Sequence, residues 1–274
     1  MIKITIITIN YNNGSNLLKT FNSISEQNFT EFEYIVIDGG STDSSLELTK
    51  NNSHINYFVS EKDNGVYHAM NKGIKASKGE FLIFMNSGDT FYSNTVLENI
   101  NSKLNDHYDI VYGNANYYND DGYKRTEIPP DVLTFGYLKI FGLNHQSVFI
   151  RKKLFFDTSF YNEDYKICAD WEFFMINICL KNVSYLHVDL MICNYDFSGI
   201  SAKPENLNLY SQEKNNTLNK YFPLFMDDLS NLENFRLKRI KQVLYIKDNK
   251  KISWRFLKWF LDMTLIFTNK KKIK

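Results

Sequence analysis

The first hundred residues alternate short apolar runs with segments of helical periodicity. Four runs rich in β-branched and aromatic residues predict strands at Ile4–Ile9, Tyr34–Ile37, Ile55–Val59 and Phe81–Met85. Amphipathic segments between them, such as Val66–Ala76, predict helices. Because strands that alternate with helices are typical of parallel βαβ units, the sequence predicts an α/β fold with a mostly parallel central sheet and flanking helices.

Two of the predicted helices carry boundary signals. Ser44 and Glu47 have the spacing of a capping box, which would open the helix after the second strand. The helix Val66–Ala76 is expected to stop near Gly79.

Polar residues follow each of the four predicted strands. These stretches are Asn10–Asn12, Asp38–Asp43, Glu61–Gly65 and Asn86–Asp89. In open α/β sheets, ligands bind beyond the carboxyl ends of the strands. The four stretches are therefore where we expect the chemistry of this protein.

The rest of the chain divides into a loop-rich part and a helical part. Strand-like pieces at Ile110–Tyr112 and Ser147–Ile150 flank a stretch with Pro129 and Pro130, which we interpret as an insertion rather than a separate domain. Residues 205–274 have helical periodicity. We therefore predict one α/β domain over residues 1–204 and a helical region over residues 205–274.

Composition narrows the class of protein. The chain has 274 residues, 43% of them hydrophobic, which is enough for a full core. Cys168, Cys179 and Cys193 are odd in number and lack close pairing, so they support no disulfide framework and fit the reducing cytoplasm. The apolar run at the N-terminus is too short for a signal peptide, and we expect it to be a buried strand.

Charge is distributed unevenly along the chain. Residues 236–274 hold 13 Lys and Arg against 2 Asp and Glu, a net charge of +11, whereas the preceding residues hold 19 against 29, a net charge of −10. A basic tail on an acidic body indicates an anionic partner, either a nucleic acid or a lipid surface. The tail contains no nucleic-acid-binding motif, which disfavours the first of these.

The tail has the pattern of an interfacial helix. Its polar positions recur every three or four residues, at Lys251, Arg255, Lys258 and Asp262. The segment is too short and too charged to span a bilayer, so we predict that it lies on an anionic membrane surface, with Trp254 and Trp259 at headgroup depth and Lys270–Lys272 near lipid phosphates. The alternative is a helix whose apolar face packs on the α/β domain or on another subunit.

Several motifs occur in a fixed order along the chain. They are Ile-Thr-Ile-Asn-Tyr-Asn, Asp-Gly-Gly-Ser-Thr-Asp, Asp-Asn-Gly-Val-Tyr-His-Ala-Met-Asn-Lys-Gly, Asn-Ser-Gly-Asp and Ala-Asp-Trp-Glu. Over about Ile4 to Ser201 the arrangement resembles the family 2 glycosyltransferases with the GT-A fold, especially bacterial members that build surface polysaccharides. The resemblance implies inverting transfer of a monosaccharide from a nucleoside diphosphate sugar, commonly a UDP-sugar, to an acceptor hydroxyl.

The resemblance also implies a donor site. It places Asp38 against the nucleotide base, Asp63 near the ribose or base and Lys72 near the donor. The donor-side candidates are Thr8, Asn10, Tyr11, Asp38, Gly39, Ser41, Asp63, Asn64, Lys72, Asn86, Ser87 and Gly88. A turn with an ordinary helix cap explains Ser41–Asp43 equally well, and a solvated helix lysine explains Lys72.

Asn86–Asp89 occupies the place of the metal motif of the family, which implies that Asp89 binds Mn2+ or Mg2+ against the diphosphate. Asn86 and Gly88 stand where many relatives carry Asp, so the diphosphate is expected to supply much of the coordination. His187 is a second candidate metal ligand.

Asp170 resembles the catalytic base of inverting members, which would take the proton from the attacking acceptor hydroxyl. Glu172 is the fallback, and a helix N-terminal Asp that satisfies backbone donors is the alternative. The acceptor-side candidates are His145, Gln146, Trp171, Glu172 and Ser201. Phe197–Ser201 resembles a loop that covers the active site.

Two other functions remain open. A nucleotidyltransferase that makes sugar nucleotides has a related fold, but the chain has no early Gly-rich loop with a basic residue for a triphosphate. A noncatalytic protein that binds nucleotide sugars or lipids would explain the depleted metal motif. For the transferase, we expect a peripheral location on the inner face of the plasma membrane and a lipid-linked saccharide as acceptor.

Overall fold

The computed structural model describes residues 2–119, 122, 124–199, 203–226 and 238–266. The chain falls into two compact units, residues 1–215 and 216–274. The first unit therefore ends at residue 215, whereas we predicted a domain boundary at residue 204. The domain boundary stays a prediction.

The described strands form one nine-stranded sheet. They are β1 (Ile4–Asn10), β2 (Phe32–Asp38), β3 (Tyr57–Ser60), β4 (Phe81–Phe84), β5 (Thr90–Phe91), β6 (Ile110–Tyr118), β7 (Lys124–Glu127), β8 (Val148–Arg151) and β9 (Tyr185–Asp196). Their spatial order is β3-β2-β1-β4-β8-β6-β9-β5, with β7 beside β6. Strands β3, β2, β1 and β4 are parallel neighbours, and β6 pairs with β9 in parallel, whereas β8, β7 and β5 pair antiparallel.

Helices follow or flank these strands. They are α1 (Gly14–Ser25), α2 (Ser45–Lys50), α3 (Val66–Ala76), α4 (Val96–Asn101), α5 (Phe135–Ile140), α6 (Lys152–Asp157), α7 (Ala169–Phe174), α8 (Leu207–Tyr221), α9 (Lys238–Asn249) and α10 (Lys251–Ile266). A π-helical segment, Met175–Leu180, continues α7. The predicted α/β class is confirmed, and α3 has the bounds that the periodicity indicated.

The predicted capping box is wrong. Ser44 stands at the N-cap position of α2, but its φ of −65° and ψ of −7° are already helical, and its side chain makes no capping hydrogen bond. An N-cap side chain reaches the first turn from an extended backbone, which Ser44 does not have. Asp43 accepts from the amide of Ser45 instead, at 3.1 Å.

The central strand β1 is buried along its whole length. On one face, Ile4 and Ile6 belong to a core cluster with Leu17 and Phe21 of α1. On the other face β1 meets α3, where a Cβ added to Gly73 would lie within 2.5 Å of an Ile7 methyl carbon. Burial on both faces explains why β1, β2 and β4 are mostly apolar runs rather than alternating ones, whereas β3 lies at the edge of the sheet and is partly exposed.

Strand order reverses between β1 and β4, because the chain builds outward from β1 through β2 to β3 and then returns to the other side. Such a reversal opens a crevice beyond the carboxyl ends of the two strands. The Thr8 hydroxyl donates to the carbonyl of Met85 at 2.7 Å and closes the base of this crevice.

In the second unit, no described helix has the length and apolar content needed to cross a bilayer. Ile252, Phe256, Trp259 and Phe260 of α10 are each more than half exposed.

We expect Gly79→Ala to destabilise the fold. A Cβ at Gly79 would lie 2.6 Å from the amide nitrogen of Thr5 and 2.8 Å from the carbonyl carbon of Ile4, so the backbone must move. Overpacking of this kind costs about 1–3 kcal/mol of unfolding free energy, which urea denaturation measures. Gly199→Ala, whose Cβ would meet nothing closer than 4.0 Å, is the control. Equal unfolding free energies for the two variants would contradict this packing.

Candidate active site

A cavity of about 1100 Å³ opens at the carboxyl edge of the sheet. The predicted residues that line it are Asn10, Tyr11, Gly39, Asp63, Asn86, Ser87, Asp89, His145, Gln146, Asp170 and Trp171. They come from chain segments more than a hundred residues apart, and one cavity brings them together.

Tyr11, Gly39 and Asp63 form one corner of the cavity. A Cβ added to Gly39 would lie 2.6 Å from Asp63 Oδ2 and 3.3 Å from the Tyr11 ring, so only a glycine leaves this corner open. The Tyr11 side chain is 65% exposed, and Asp63 Oδ1 accepts from the amide of Gly65 at 2.9 Å. The corner therefore offers an aromatic face, a carboxylate oxygen and bare backbone.

Asp38 lies behind this corner and is 1% exposed. Its Oδ1 accepts from Asn10 and from the Ser41 hydroxyl, and its Oδ2 accepts from the Ser60 hydroxyl and from the amides of Gly40 and Ser41. Burial acts to raise the pKa of Asp38, but the hydrogen bonds outweigh it and hold this pKa below its usual value. Asp38 thus organises the loop after β2, and its carboxylate does not line the cavity.

Asn10 connects the first, second and fourth motifs. Its amide nitrogen donates to Asp38 at 2.8 Å, while its amide oxygen accepts from the Ser87 hydroxyl at 2.7 Å. The Ser41 hydroxyl accepts from the backbone amide of Asn12 at 2.7 Å. These bonds fix the three loops relative to one another, which a functional site at this edge requires.

Seven predicted donor or acceptor residues in the described part of the chain do not line the cavity, and three of them are Asp38, Ser41 and Gly88. Thr8 is fully buried below it, and the amide of Asn64 donates to His68 on α3. Lys72 forms an ion pair with Glu61 at 2.7 Å. Glu172 is buried within the first turn of α7. Ser201 lies outside the described residues.

His187, the second candidate metal ligand, also lies away from the cavity. Its Nδ1 is 2.6 Å from Asp131 Oδ1, and its Nε2 is 3.1 Å from Asn114 Oδ1. Both ring nitrogens are therefore engaged at a different place on the sheet, and the structure does not bring His187 together with Asp89.

Asn86–Asp89 forms a tight turn in which the amide of Asp89 donates to the carbonyl of Asn86 at 2.9 Å. Gly88 has a φ of +109°, a conformation that side-chain-bearing residues rarely adopt. The Gly88 carbonyl accepts a hydrogen bond from the Tyr118 hydroxyl, and the Gly88 amide donates one to the Thr20 hydroxyl. The amide oxygen Oδ1 of Asn86 is buried without a hydrogen-bond partner.

Asp89 is 3% exposed and accepts hydrogen bonds on both oxygens. Gln146 Nε2 donates to Oδ2 at 2.8 Å, and the amide of Asp196 donates to Oδ1 at 3.0 Å. Burial raises the pKa of Asp89 to about 7, against the lowering effect of these donors. Gln146, predicted on the acceptor side, thus contacts the carboxylate of the metal motif.

Asp170 also lines the cavity. Its Oδ2 is 2.6 Å from His145 Nδ1, and its Oδ1 accepts from the Tyr67 hydroxyl and the amide of Trp171, both at 2.9 Å. Burial acts to raise the pKa of Asp170, but the hydrogen bond and charge of His145, helped by Tyr67, hold it below its usual value. Asp170 is therefore ionised at neutral pH and can accept a proton. His145 Nε2 lies 3.2 Å from Asn86 Nδ2, which joins this wall to the metal motif.

The loop before α7 is held by α8. The buried Glu213 carboxylate accepts from the amides of Lys166, Ile167 and Cys168 at 2.8, 3.0 and 2.9 Å. The Ile167 carbonyl in turn accepts from the Tyr67 hydroxyl at 2.6 Å. Glu213 therefore fixes the backbone from which Asp170 projects.

Next to Glu213, Lys214 packs between two aromatic rings. Its Nζ lies 4.6 Å from the Trp171 ring centroid and 4.7 Å from that of Tyr210. Burial lowers the pKa of Lys214 to about 8. Trp171 also donates from Nε1 to the carbonyl of Leu138 at 2.7 Å, so two elements hold its ring at the cavity wall.

Sequence reasoning missed Tyr67, Asp196 and Glu213. Asp196 stands at the carboxyl end of β9, where the rule applied to the first four strands would have found it had β9 been recognised. Tyr67 lies within a quoted motif, but its contact with Asp170 spans 103 residues. A lone Glu in a helical segment gave no signal for Glu213.

In open α/β sheets, ligands bind at the crevice where the strand order reverses, and the carboxylates Asp89 and Asp170 line the cavity at this place. The model of glycosyl transferase family 2 matches residues 5–163, more than half of the chain. The chain therefore belongs to glycosyl transferase family 2 and is a glycosyltransferase, as its motifs predicted.

Relatives agree with this assignment. The chain is 31% identical over 212 residues to a PGL/p-HBAD biosynthesis glycosyltransferase of Mycobacterium bovis, which covers 73% of this chain and 79% of that protein. Among solved structures, S. aureus TarS in complex with UDP-GlcNAc has a TM-score of 0.61 at 20% identity, covering 89% of this chain and 79% of that chain. The mannosyltransferase PcManGT from Pyrobaculum calidifontis, in complex with GDP-Man and Mn2+, has a TM-score of 0.61 at 13% identity, covering 97% and 81%. These two structures confirm the predicted GT-A fold.

Glu213→Gln tests the hydrogen bonds that hold the loop before α7. A glutamine offers one acceptor oxygen in place of two, so backbone donors of Lys166–Cys168 lose their partner. We expect amide hydrogen exchange in the peptide covering Lys166–Cys168 to accelerate by about tenfold or more, because an unmade buried hydrogen bond costs about 1–3 kcal/mol. Mass spectrometry measures this exchange. The exposed Glu205→Gln is the control, and unchanged protection in Glu213→Gln would contradict the assigned contacts.

Proposed function

We propose that the protein transfers a monosaccharide from a nucleoside diphosphate sugar, most readily a UDP-sugar, to an acceptor hydroxyl with inversion at the anomeric carbon. One observation carries the proposal: Asp89 and Asp170 line the same cavity and are held by the neighbouring residues Gln146 and His145. A carboxylate beside the leaving diphosphate and another beside the attacking hydroxyl are what an inverting displacement needs.

The corner of Tyr11, Gly39 and Asp63 suits a nucleoside. The exposed Tyr11 ring can stack on a base, and Asp63 Oδ2 can accept from a ribose hydroxyl or a base N–H. The complexes of TarS with UDP-GlcNAc and of PcManGT with GDP-Man support a nucleotide sugar as the donor class.

The residues of the metal motif fit a hard divalent cation. Asp89 supplies a carboxylate, and Asn86 Oδ1 is a buried oxygen without a partner, an atom that a cation would satisfy. Mn2+ or Mg2+ bound here would neutralise charge on the leaving diphosphate. Mg2+ is usually held by one or two carboxylates together with substrate phosphates, which matches a motif with few acidic residues. The Mn2+ in the PcManGT complex supports this proposal.

Asp170 accepts the proton of the acceptor hydroxyl in this mechanism. His145 and Tyr67 orient its carboxylate, so that positioning rather than an elevated pKa provides the catalytic effect. Phe197–Gly199 lines the cavity and would help to exclude water from the donor. The acceptor hydroxyl would enter beside Trp171.

We propose a lipid-linked saccharide, met at the inner face of the plasma membrane, as the acceptor. Support comes from α10, in which Ile252, Phe256 and Trp259 are 85%, 67% and 57% exposed, and from the net charge of +11 over residues 236–274. The M. bovis relative is named for PGL/p-HBAD biosynthesis. We therefore propose that the protein is a peripheral enzyme of capsule, O-antigen or exopolysaccharide assembly.

Asp170→Asn tests the proposed function. The amide keeps the shape of the side chain but cannot take a proton, so we expect turnover to fall by at least about 100-fold. Turnover is measured as nucleoside diphosphate release from a panel of UDP-sugars with polyprenyl-linked saccharide acceptors. Donor affinity, measured by calorimetry, should change by less than about twofold because Asp170 acts on the acceptor.

Asp164→Asn, at an exposed carboxylate in the preceding loop, is the matched control and should keep full activity. Undiminished release by Asp170→Asn would remove Asp170 from its role. Pyrophosphate release by the unaltered protein would favour a nucleotidyltransferase instead.

Deletion of residues 250–274 tests the proposed membrane contact. We expect the full chain to float with vesicles of phosphatidylglycerol and phosphatidylcholine, and the truncated chain to stay in the dense fraction, because it has lost the Trp-bearing helix and eight basic residues. High salt should weaken flotation of the full chain. Equal flotation after truncation would refute the membrane role of this segment.

A further inference from the structure

Gly88 leaves a space in the metal motif, and a carboxylate from another strand fills it. A Cβ added to Gly88 would lie 2.8 Å from Asp196 Oδ2 and 3.5 Å from Asp196 Cγ. The Asp196 carboxylate therefore occupies the volume that an acidic side chain at position 88 would take. Asp196 ends β9, more than a hundred residues beyond the motif.

Asp196 is fixed in this place by the backbone. Its own amide donates to Asp89 Oδ1 at 3.0 Å, and its Oδ1 accepts from the amide of Ser198 at 3.0 Å. These two bonds leave Oδ2 on the side of Gly88. Asp196 lines the cavity, as Asp89 does, so both carboxylates face the same volume.

Asp89 and Asp196 are neighbouring acidic residues, and like charges repel each other. A divalent cation between them would remove that repulsion. The buried, unpartnered Asn86 Oδ1 belongs to the same turn and offers a third oxygen of the kind that Mn2+ and Mg2+ prefer.

We propose that Asp196 supplies the carboxylate that the metal motif lacks at Gly88, so that Asp89, Asp196 and Asn86 hold the divalent cation together with the diphosphate of the donor. This inference rests on the proposed function. The segment Asn86–Asp89 contains only one carboxylate, and Asp196 at the end of β9 supplies the second one in the folded chain.

Asp196→Asn tests this assignment. The amide keeps an oxygen for the Ser198 amide but removes the charge. Binding of UDP and of GDP to the full chain is measured by calorimetry with and without Mn2+, and bound Mn2+ is counted from its electron paramagnetic resonance signal. We expect Mn2+ to strengthen nucleotide binding to the unaltered protein by about tenfold or more, and Asp196→Asn to lose most of this gain. Metal-free nucleotide affinity should stay within about twofold.

Two further variants make the result decisive. Asp131→Asn, an exposed carboxylate that contacts His187 outside the cavity, should keep the whole Mn2+ gain. Asp196→Ser also retains an acceptor near the Ser198 amide, and it replaces Asp196→Asn if circular dichroism shows that variant to be unfolded. A full Mn2+ gain in a folded Asp196 variant would overturn the assignment, leave Asp196 as a turn residue, and spare the proposed function. Failure of the unaltered protein to bind either nucleotide would overturn the proposed function itself.

Discussion

The active-site arrangement depends on two adjacent side chains in the turn before β8. Gln146 donates to Asp89 on one wall of the cavity, and His145 contacts Asp170 on the other. The spacing of the two carboxylates is therefore set by a single backbone step rather than by independent loops. The contact of His145 with Asn86 adds a third constraint, because it joins the same turn to the metal motif. Two carboxylates that are held by adjacent residues keep a fixed relative position, which is what the proposed inverting displacement requires.

The two carboxylates are the same residue type in opposite electrostatic settings. Burial dominates at Asp89 and raises its pKa to about 7, whereas His145 and Tyr67 overcome burial at Asp170 and lower its pKa. These settings suit the roles that we propose, Asp89 as a ligand of the cation and Asp170 as the proton acceptor. Their surroundings, rather than their identity, divide the two roles.

Local patterns predicted the half of the site that the parallel strands build. Continuous apolar runs located β1 to β4, and the polar residues after them, such as Asn86 and Asp89, do line the cavity. The other half depends on long-range contacts that leave no local signal. The helical pattern around Lys72 does not indicate its ion pair with Glu61. Glu213 accepts hydrogen bonds from a loop that lies 45 or more residues earlier in the chain. The side chains along β9 are mostly half-buried, so its sequence is not a continuous apolar run. For this reason the apolar pattern did not reveal β9 or Asp196 at its end.

The central claim is that one cavity at the carboxyl edge of the sheet binds the nucleotide sugar between Asp89 and Asp170. A crystal structure of the full chain with UDP and Mn2+ tests it most directly. We predict electron density for the base beside Tyr11 and Asp63 and for the diphosphate beside Asn86–Asp89, with Asp170 facing the vacant sugar position. Nucleotide density at any other surface, with this cavity filled only by solvent, would contradict the account.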